Sequence, residues 1–305
     1  MLGASTSKYY SVHAIPRGAN DARPTALQVV HDDNLEGKCT DKTILVTGGS
    51  ASIGAETVRA LHATGATVFM TVRDTTKAQK VIDNIFKSDP SNEAPIHMIT
   101  MSLDQLESIR QGAREFLKQS NNKLNILICN AGVMATPKGL TSDGFETQFG
   151  TNYGEINFDD YKLDTAYNPM KAYGQSKTAL IYVANTIDRR FGSQGLHALS
   201  LHPGAIKSNI TSFVREMAAP MWEIPSVKAR EKNAAQGAAT TVYAAVSQEW
   251  EGKGGKYLSN CMEMGPFKGV EGIQVMDEGY APWVYDEAKQ ERLWEDSLEM
   301  VGIKD

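Results

Sequence analysis

Residues 42–57 read KTILVTGGSASIGAET, and the fold turns on how this stretch is understood. Thr43 to Thr47 form a short apolar run rich in β-branched residues, the mark of a buried strand. Gly48 and Gly49 then interrupt the run, and from Ala55 the pattern (AETVRALHATG, 55–65) becomes helical as far as Gly65, a C-terminal cap. A strand, a glycine turn and a helix in immediate succession place backbone N–H groups and the positive end of a helix dipole together. That combination suits the pyrophosphate of a dinucleotide.

Working outward, the same alternation continues. ATVFMTVR (66–73) reads as a second strand and DTTKAQKVIDNIFKS (74–88) as a helix, with Val81, Ile82, Ile85 and Phe86 as its apolar stripe. PIHMITMSL (95–103) is a third strand, LESIRQGAREFLKQS (106–120) a third helix and LNILICNAG (124–132) a fourth strand. Farther on, KAYGQSKTALIYVANTIDRRFGSQG (171–195) is a long helix, LHALSLHPG (196–204) a strand, NAAQGAATTVYAAVS (233–247) helical and GGKYLSN (254–260) a last short strand. Residues 211–232, with Pro220, Trp222 and Pro225, read as irregular. Apolar strands alternating with amphipathic helices predict an α/β, Rossmann-type doubly wound parallel sheet. The expected organisation is a loosely packed N-terminal extension (1–40), one oxidoreductase domain (41–290) and a C-terminal tail (291–305).

Composition narrows the function. The chain has 305 residues, 41% hydrophobic and 22% charged, with a net charge of −5. No dense basic block is present, which argues against a nucleic-acid binder. No apolar run reaches membrane-spanning length, and the first 21 residues lack an apolar signal core, so a cytoplasmic protein is expected. Cys39, Cys129 and Cys261 are widely spaced and odd in number, as reduced and mostly buried thiols would be. The histidines show no metal-ligand spacing, so no metal is expected, and His202 beside Pro203 reads as a packing residue.

Five motifs in order resemble those of the short-chain dehydrogenase/reductase family. Thr47-Gly48-x-x-x-Ser52-Ile53-Gly54 is similar to its TGxxxGxG turn, with Ser52 where a glycine is usual. Asn130-Ala131-Gly132 resembles its NAG motif, and Asn152 stands where an asparagine helps to order the active site. Tyr173-Gly-Gln-Ser-Lys177 is similar to the YxxxK catalytic motif. Pro203-Gly204, with Ile206 and Ser208, resembles the segment against the nicotinamide. The HPG, NAGVM and GKYL neighbourhoods look most like the retinol-dehydrogenase-like branch. The resemblance implies a nicotinamide dinucleotide held by Gly48, Ser50, Ser52, Ile53 and Gly54 at the turn, and by Ser102 and Leu103 near adenine. Asn130, Ala131, Gly132, Tyr173, Lys177, Ile206 and Ser208 would complete its site. Arg73, after the second strand, favours a 2′-phosphate and hence NADP over NAD. Tyr173, Lys177 and Asn152 are the implied catalytic residues, acting on an alcohol or ketone. Tyr173 and Lys177 lie at i and i+4 on one helix face, and a nearby ammonium lowers a phenol's pKa from its free value of ~10. Tyr167 and Lys171 share that spacing, but Pro169 breaks a helix through them.

One expected element is missing. The family places a substrate-binding serine on a fifth strand before the tyrosine, yet between Val133 and Ala172 the only serine is Ser142, on the wrong side of Asn152. Only 20 residues separate Asn152 from Tyr173, whereas a helix-and-strand unit needs on the order of 30. The chain therefore reads as lacking one central strand and one helix, with the junction between Tyr153 and Gly154. The resemblance allows a homodimer, but the lost helix is one that the family uses for dimerisation. The expected function is NADP-dependent hydride exchange between an alcohol and a ketone, possible partners being small apolar molecules of secondary metabolism. The alternative is a catalytically impaired dinucleotide-binding remnant.

Overall fold

The computed structural model describes residues 7–148, 156–208, 210, 213, 215–267 and 279–304. Two short helices, α1 (Tyr10–Ala14) and α2 (Ala26–Asp32), precede the alternating unit. That unit runs β1 (Thr43–Thr47), α3 (Ser52–Ala63), β2 (Thr67–Val72), α4 (Thr75–Ser88), β3 (Ile96–Thr100), α5 (Leu106–Gln119) and β4 (Ile126–Ile128). All four strands are parallel, in the order β3-β2-β1-β4. One face carries Ile44, Val46, Val68 and Met70 into the main core with α3 and α4. The other packs Leu45, Phe69 and Ile99 against Phe116 of α5. The sheet and its alternating helices thus match the architecture that the sequence predicts.

After β4 the chain reaches the long helix α6 (Pro169–Phe191), then β5 (Leu199–His202) and β6 (Ala205–Ile206). Helices α7 (Arg215–Glu223) and α8 (Pro225–Arg230) lead to β7 (Glu231–Lys232), α9 (Ala234–Gly237) and α10 (Ala239–Val246). The chain continues through β8 (Lys256–Ser259), β9 (Met262–Glu263) and α11 (Glu287–Val301). Residues 211–232 are therefore not irregular throughout. Pro225 occupies the first turn of α8, where its missing N–H has no helical partner to lose, and Pro220 lies inside α7.

The second half of the sheet stands apart from the first. β5 pairs in parallel with β8, which pairs antiparallel with β9, and β6 pairs with β7. β4 pairs with β1 alone among the described strands. Helix α10 packs on β4, β5 and β8 and so bridges the two sheets from one side. The opposite side is open at β4: Leu127 is 54% exposed, although its register partner Leu45 is buried. Both faces of a parallel sheet are ordinarily covered by crossover helices. Here α5 shields Leu45 and Phe69 and leaves Leu127 in water.

The terminal segments are tightly integrated, where the sequence predicts loose packing at the N-terminus. Val29 and Val30 of α2 are fully buried in the main core because they fill the groove between α3 and α10. Ser7 Oγ donates to the carbonyl of Cys261 at 2.7 Å. Arg23 is buried, and its guanidinium donates to the carbonyls of Gly18, Arg230 and Glu231 and to the Asp21 carboxylate. At the other end, α11 packs along α6, with Leu293 and Val284 against Tyr182 and Ala179.

Candidate active site

The glycine turn is a cradle that side chains would fill. Gly48 has φ +70, and a Cβ there would meet Ala131 at 3.0 Å; a Cβ on Gly54 would stand 2.2 Å from the Gly48 carbonyl oxygen. Asn130 Nδ2 donates to the carbonyls of Thr47 (2.9 Å) and Gly48 (3.2 Å), and Ala131 N–H donates to Thr47 Oγ1 (3.0 Å). These bonds fasten the end of β4 to the end of β1, so Asn130 and Ala131 shape the turn from behind. Ser52 opens α3 with φ +47, a left-handed conformation that L side chains adopt at a cost. The serine takes the backbone geometry that glycine supplies freely.

The 12-residue α3 has no side-chain cap and no acidic residue in its first turn. Its first N–H groups and dipole therefore remain available to an anion. Ser50 and Ser52 are half-buried beside them. Ile53 instead turns inward against Gly237, which Ile206 also touches. The cradle and the uncapped helix start fit a dinucleotide pyrophosphate.

At the end of β2, Arg73 is exposed and Asp74 caps α4 by accepting from Lys77 N–H at 2.9 Å. The Asp74 carboxylate is thereby occupied by its own helix. At the end of β3, Ser102 Oγ donates to Asp104, Ser102 N–H donates to Ser108 Oγ, and Leu103 is exposed. Ser208 accepts from Ile210 N–H at 3.4 Å. Asn152 lies outside the described residues.

Helix α6 delivers the tyrosine and lysine. Asn168 caps it by accepting from Met170 and Lys171 N–H, with Pro169 in the first turn. Tyr167 is therefore outside the helix, and its hydroxyl bonds Thr136 O and Glu146. Tyr173 and Lys177 sit one turn apart and half-buried, with the Lys177 ammonium 5.8 Å from the Tyr173 ring centroid. A Cβ on Gly132 would stand 3.6 Å from Lys177 Nζ, so the lysine reaches the end of β4. The turn Pro282–Tyr285, just before α11, fixes the helix from outside: Tyr182 Oη donates to Trp283 O, and Asn185 Nδ2 to Val284 O.

The electrostatics of the pair differ from the expectation. Burial pushes the Tyr173 phenol up to about 12 and holds the Lys177 ammonium below its ordinary value. The ammonium stands over the ring face, where it makes a cation–π contact but does not offset the desolvation of a phenolate. The Tyr173 phenol accordingly keeps its proton at neutral pH.

Two further residues face this region. His202 ends β5 and is exposed, not packed as its sequence context suggests. Gly204 N–H donates to its Nδ1 at 3.1 Å. Burial, Lys232 and Lys177, in that order, push the imidazole down to about 4. Surrounding atoms crowd it while water still reaches it. Cys129, after β4, is similar: exposed, not buried as expected, yet raised in pKa by its surroundings. A residue that sequence alone does not reveal is Lys232. It is buried on β7, and its ammonium donates to Asn260 Oδ1 (2.8 Å) and Pro203 O (3.3 Å), fixing the Pro203–Gly204 corner.

Comparison with known proteins agrees with this geometry. The short chain dehydrogenase family model matches residues 42–157. Oxidoreductase calI of Penicillium decumbens is 40% identical over 343 aligned positions, covering 97% of this chain and 98% of the relative. That alignment exceeds the 305 residues of the chain itself, so the relative carries positions that this chain lacks. Retinol dehydrogenase 12 of Mus musculus is 31% identical, covering 86% of this chain and 87% of the relative. Among solved structures, an uncharacterised Mycobacterium paratuberculosis protein superposes with TM-score 0.64 and 27% identity, covering 93% of this chain and 99% of that one.

Proposed function

The chain belongs to the short-chain dehydrogenase/reductase family, in its retinol-dehydrogenase-like branch, and from that premise we propose that it is an NADP-dependent oxidoreductase interconverting a small apolar alcohol and its ketone or aldehyde. The observation that carries the reading is the convergence of the glycine cradle, Gly132 and the Tyr173–Lys177 pair at the carboxyl ends of parallel strands. That is where ligands bind in open α/β sheets.

Gly48, Ser50, Ser52 and Gly54 would hold the pyrophosphate. Ser102 and Leu103 would lie near adenine. Gly132, Lys177, Ile206 and Ser208 would border the nicotinamide ribose and ring. Arg73, with Asp74 engaged as a helix cap, supports a 2′-phosphate. The bound dinucleotide supplies or removes hydride; the chain's own groups handle the proton. In reduction the Tyr173 hydroxyl gives its proton to the substrate oxygen, and its raised pKa keeps that proton in place at neutral pH. Lys177 would orient the ribose and balance charge near the phenol.

The substrate class rests on α7, which would cover the substrate. Met221 and Trp222 of α7 are half-buried, and Lys207 Nζ lies 5.3 Å from the Trp222 ring. These features support an apolar substrate beneath α7. Kinship with a fungal oxidoreductase supports a place in secondary metabolism.

The experiment is an NADPH fluorescence titration of the purified chain, followed by NADPH oxidation with aromatic and aliphatic aldehydes and ketones. Saturable NADPH binding and carbonyl-dependent oxidation are expected. Tyr173→Phe should keep the binding and lose the turnover. Absence of binding would refute the proposal.

A further inference from the structure

We propose that His202 donates a hydrogen bond from Nε2 to the substrate carbonyl oxygen, occupying the role for which this chain has no serine. The inference rests on the oxidoreductase reading above and deepens it. Three observations support it. First, Gly204 N–H donates to His202 Nδ1 at 3.1 Å, so Nδ1 is an acceptor and the ring proton is on Nε2. The backbone thus selects one tautomer. Second, the side chain is exposed at the carboxyl end of β5, and Nε2 has no hydrogen-bond partner among the described residues. Third, α6 packs on β5, and Lys177 is close enough to His202 to act on its protonation. The imidazole and the Tyr173–Lys177 pair therefore lie on adjoining elements, β5 and α6.

The facing charges keep this group a neutral donor. Lys232 and Lys177 both oppose an imidazolium. A neutral imidazole with a fixed N–H polarises a carbonyl without itself giving up a proton, a role with precedent in other enzymes. In the reductive direction the carbonyl carbon accepts hydride, and the C=O π pair moves to oxygen. That oxygen takes the Tyr173 proton while the Nε2–H bond stabilises its developing charge. A bound reduced dinucleotide would supply that hydride and its two electrons. His202 returns unchanged.

Two variants test this. His202→Leu removes the donor, and His202→Gln restores an N–H near the Nε2 position. His202→Leu should lower kcat about 10²–10³-fold, the usual loss for one such donor, with NADPH affinity unchanged. His202→Gln should recover most of that loss. A readout independent of turnover is the ¹⁵N NMR spectrum of labelled histidine in the NADP⁺ complex: acetophenone should shift the His202 Nε2–H signal and leave His31 in place. Wild-type kcat in His202→Leu, or no shift on adding acetophenone while NADPH still binds, would overturn the inference and leave the oxidoreductase reading standing. Failure of wild-type protein to bind NADPH would overturn both.

Discussion

Ser52 holds a left-handed backbone at the first turn of α3 where a glycine would be relaxed. Ser52→Gly should therefore remove roughly 1 kcal/mol of strain, seen as a higher urea midpoint and tighter NADPH binding, provided the gain exceeds the extra entropy of an unfolded glycine. Gly54→Ala should do the reverse, because its methyl would collide with the Gly48 carbonyl; loss of saturable NADPH binding in the fluorescence titration is the expected result. Histidines govern the acid side. Burial comes first in pushing His13 down to about 3 and His202 to about 4, and it also lowers His62. Their ordinary value is ~6.5. The folded state favours their neutral forms, so this stability is complete above about pH 6.5 and is lost as pH falls towards 4. Urea midpoints measured at about pH 7.5 and about pH 5 should differ in that direction. The glycine turn, the Asn130 motif and the tyrosine–lysine spacing were legible in the sequence because each is a short-range geometric demand. The exposure of His202 and Cys129, and the raised Tyr173 phenol, were not. They depend on which elements cover the strand ends, and adjacent residues carry no record of that.

Helix α6 is positioned as much by α11 as by its own sequence. Leu293 is buried against the Tyr182 region, and Arg189 and Arg190 both pair with Glu291. Leu293→Ala should cost about 2–5 kcal/mol, measured by urea unfolding, and should reduce turnover more than NADPH binding, because the cradle belongs to other elements. The strands and helices up to residue 132 follow directly from apolar periodicity. The two helices within 215–230 were hidden by Pro220 and Pro225, which read as breakers although one of them occupies a first turn that tolerates proline. The fit of α2 into the main core was also hidden, since its seven residues are too few to display a period.

Across the whole molecule, the separate pairing of β4 and β5 and the bare Leu127 are what loss of an internal segment would leave, and calI has positions that this chain lacks. Sequencing transcripts across codons 153 and 154 should find a longer form encoding a helix and a serine-bearing strand. A junction that is identical in genome and transcript would refute that origin. The open side also predicts chemistry: a small maleimide should label Cys129 in the native protein and leave Cys261 untouched, as mass spectrometry would show. The Arg23 network has a consequence at this scale as well. It ties the amino-terminal arm to the carbonyls preceding Lys232, and Lys232 in turn steadies the Pro203–Gly204 corner. A single protease cut between residues 18 and 23 would slacken a joint far along the chain, so catalysis should fade while the circular dichroism spectrum stays nearly intact.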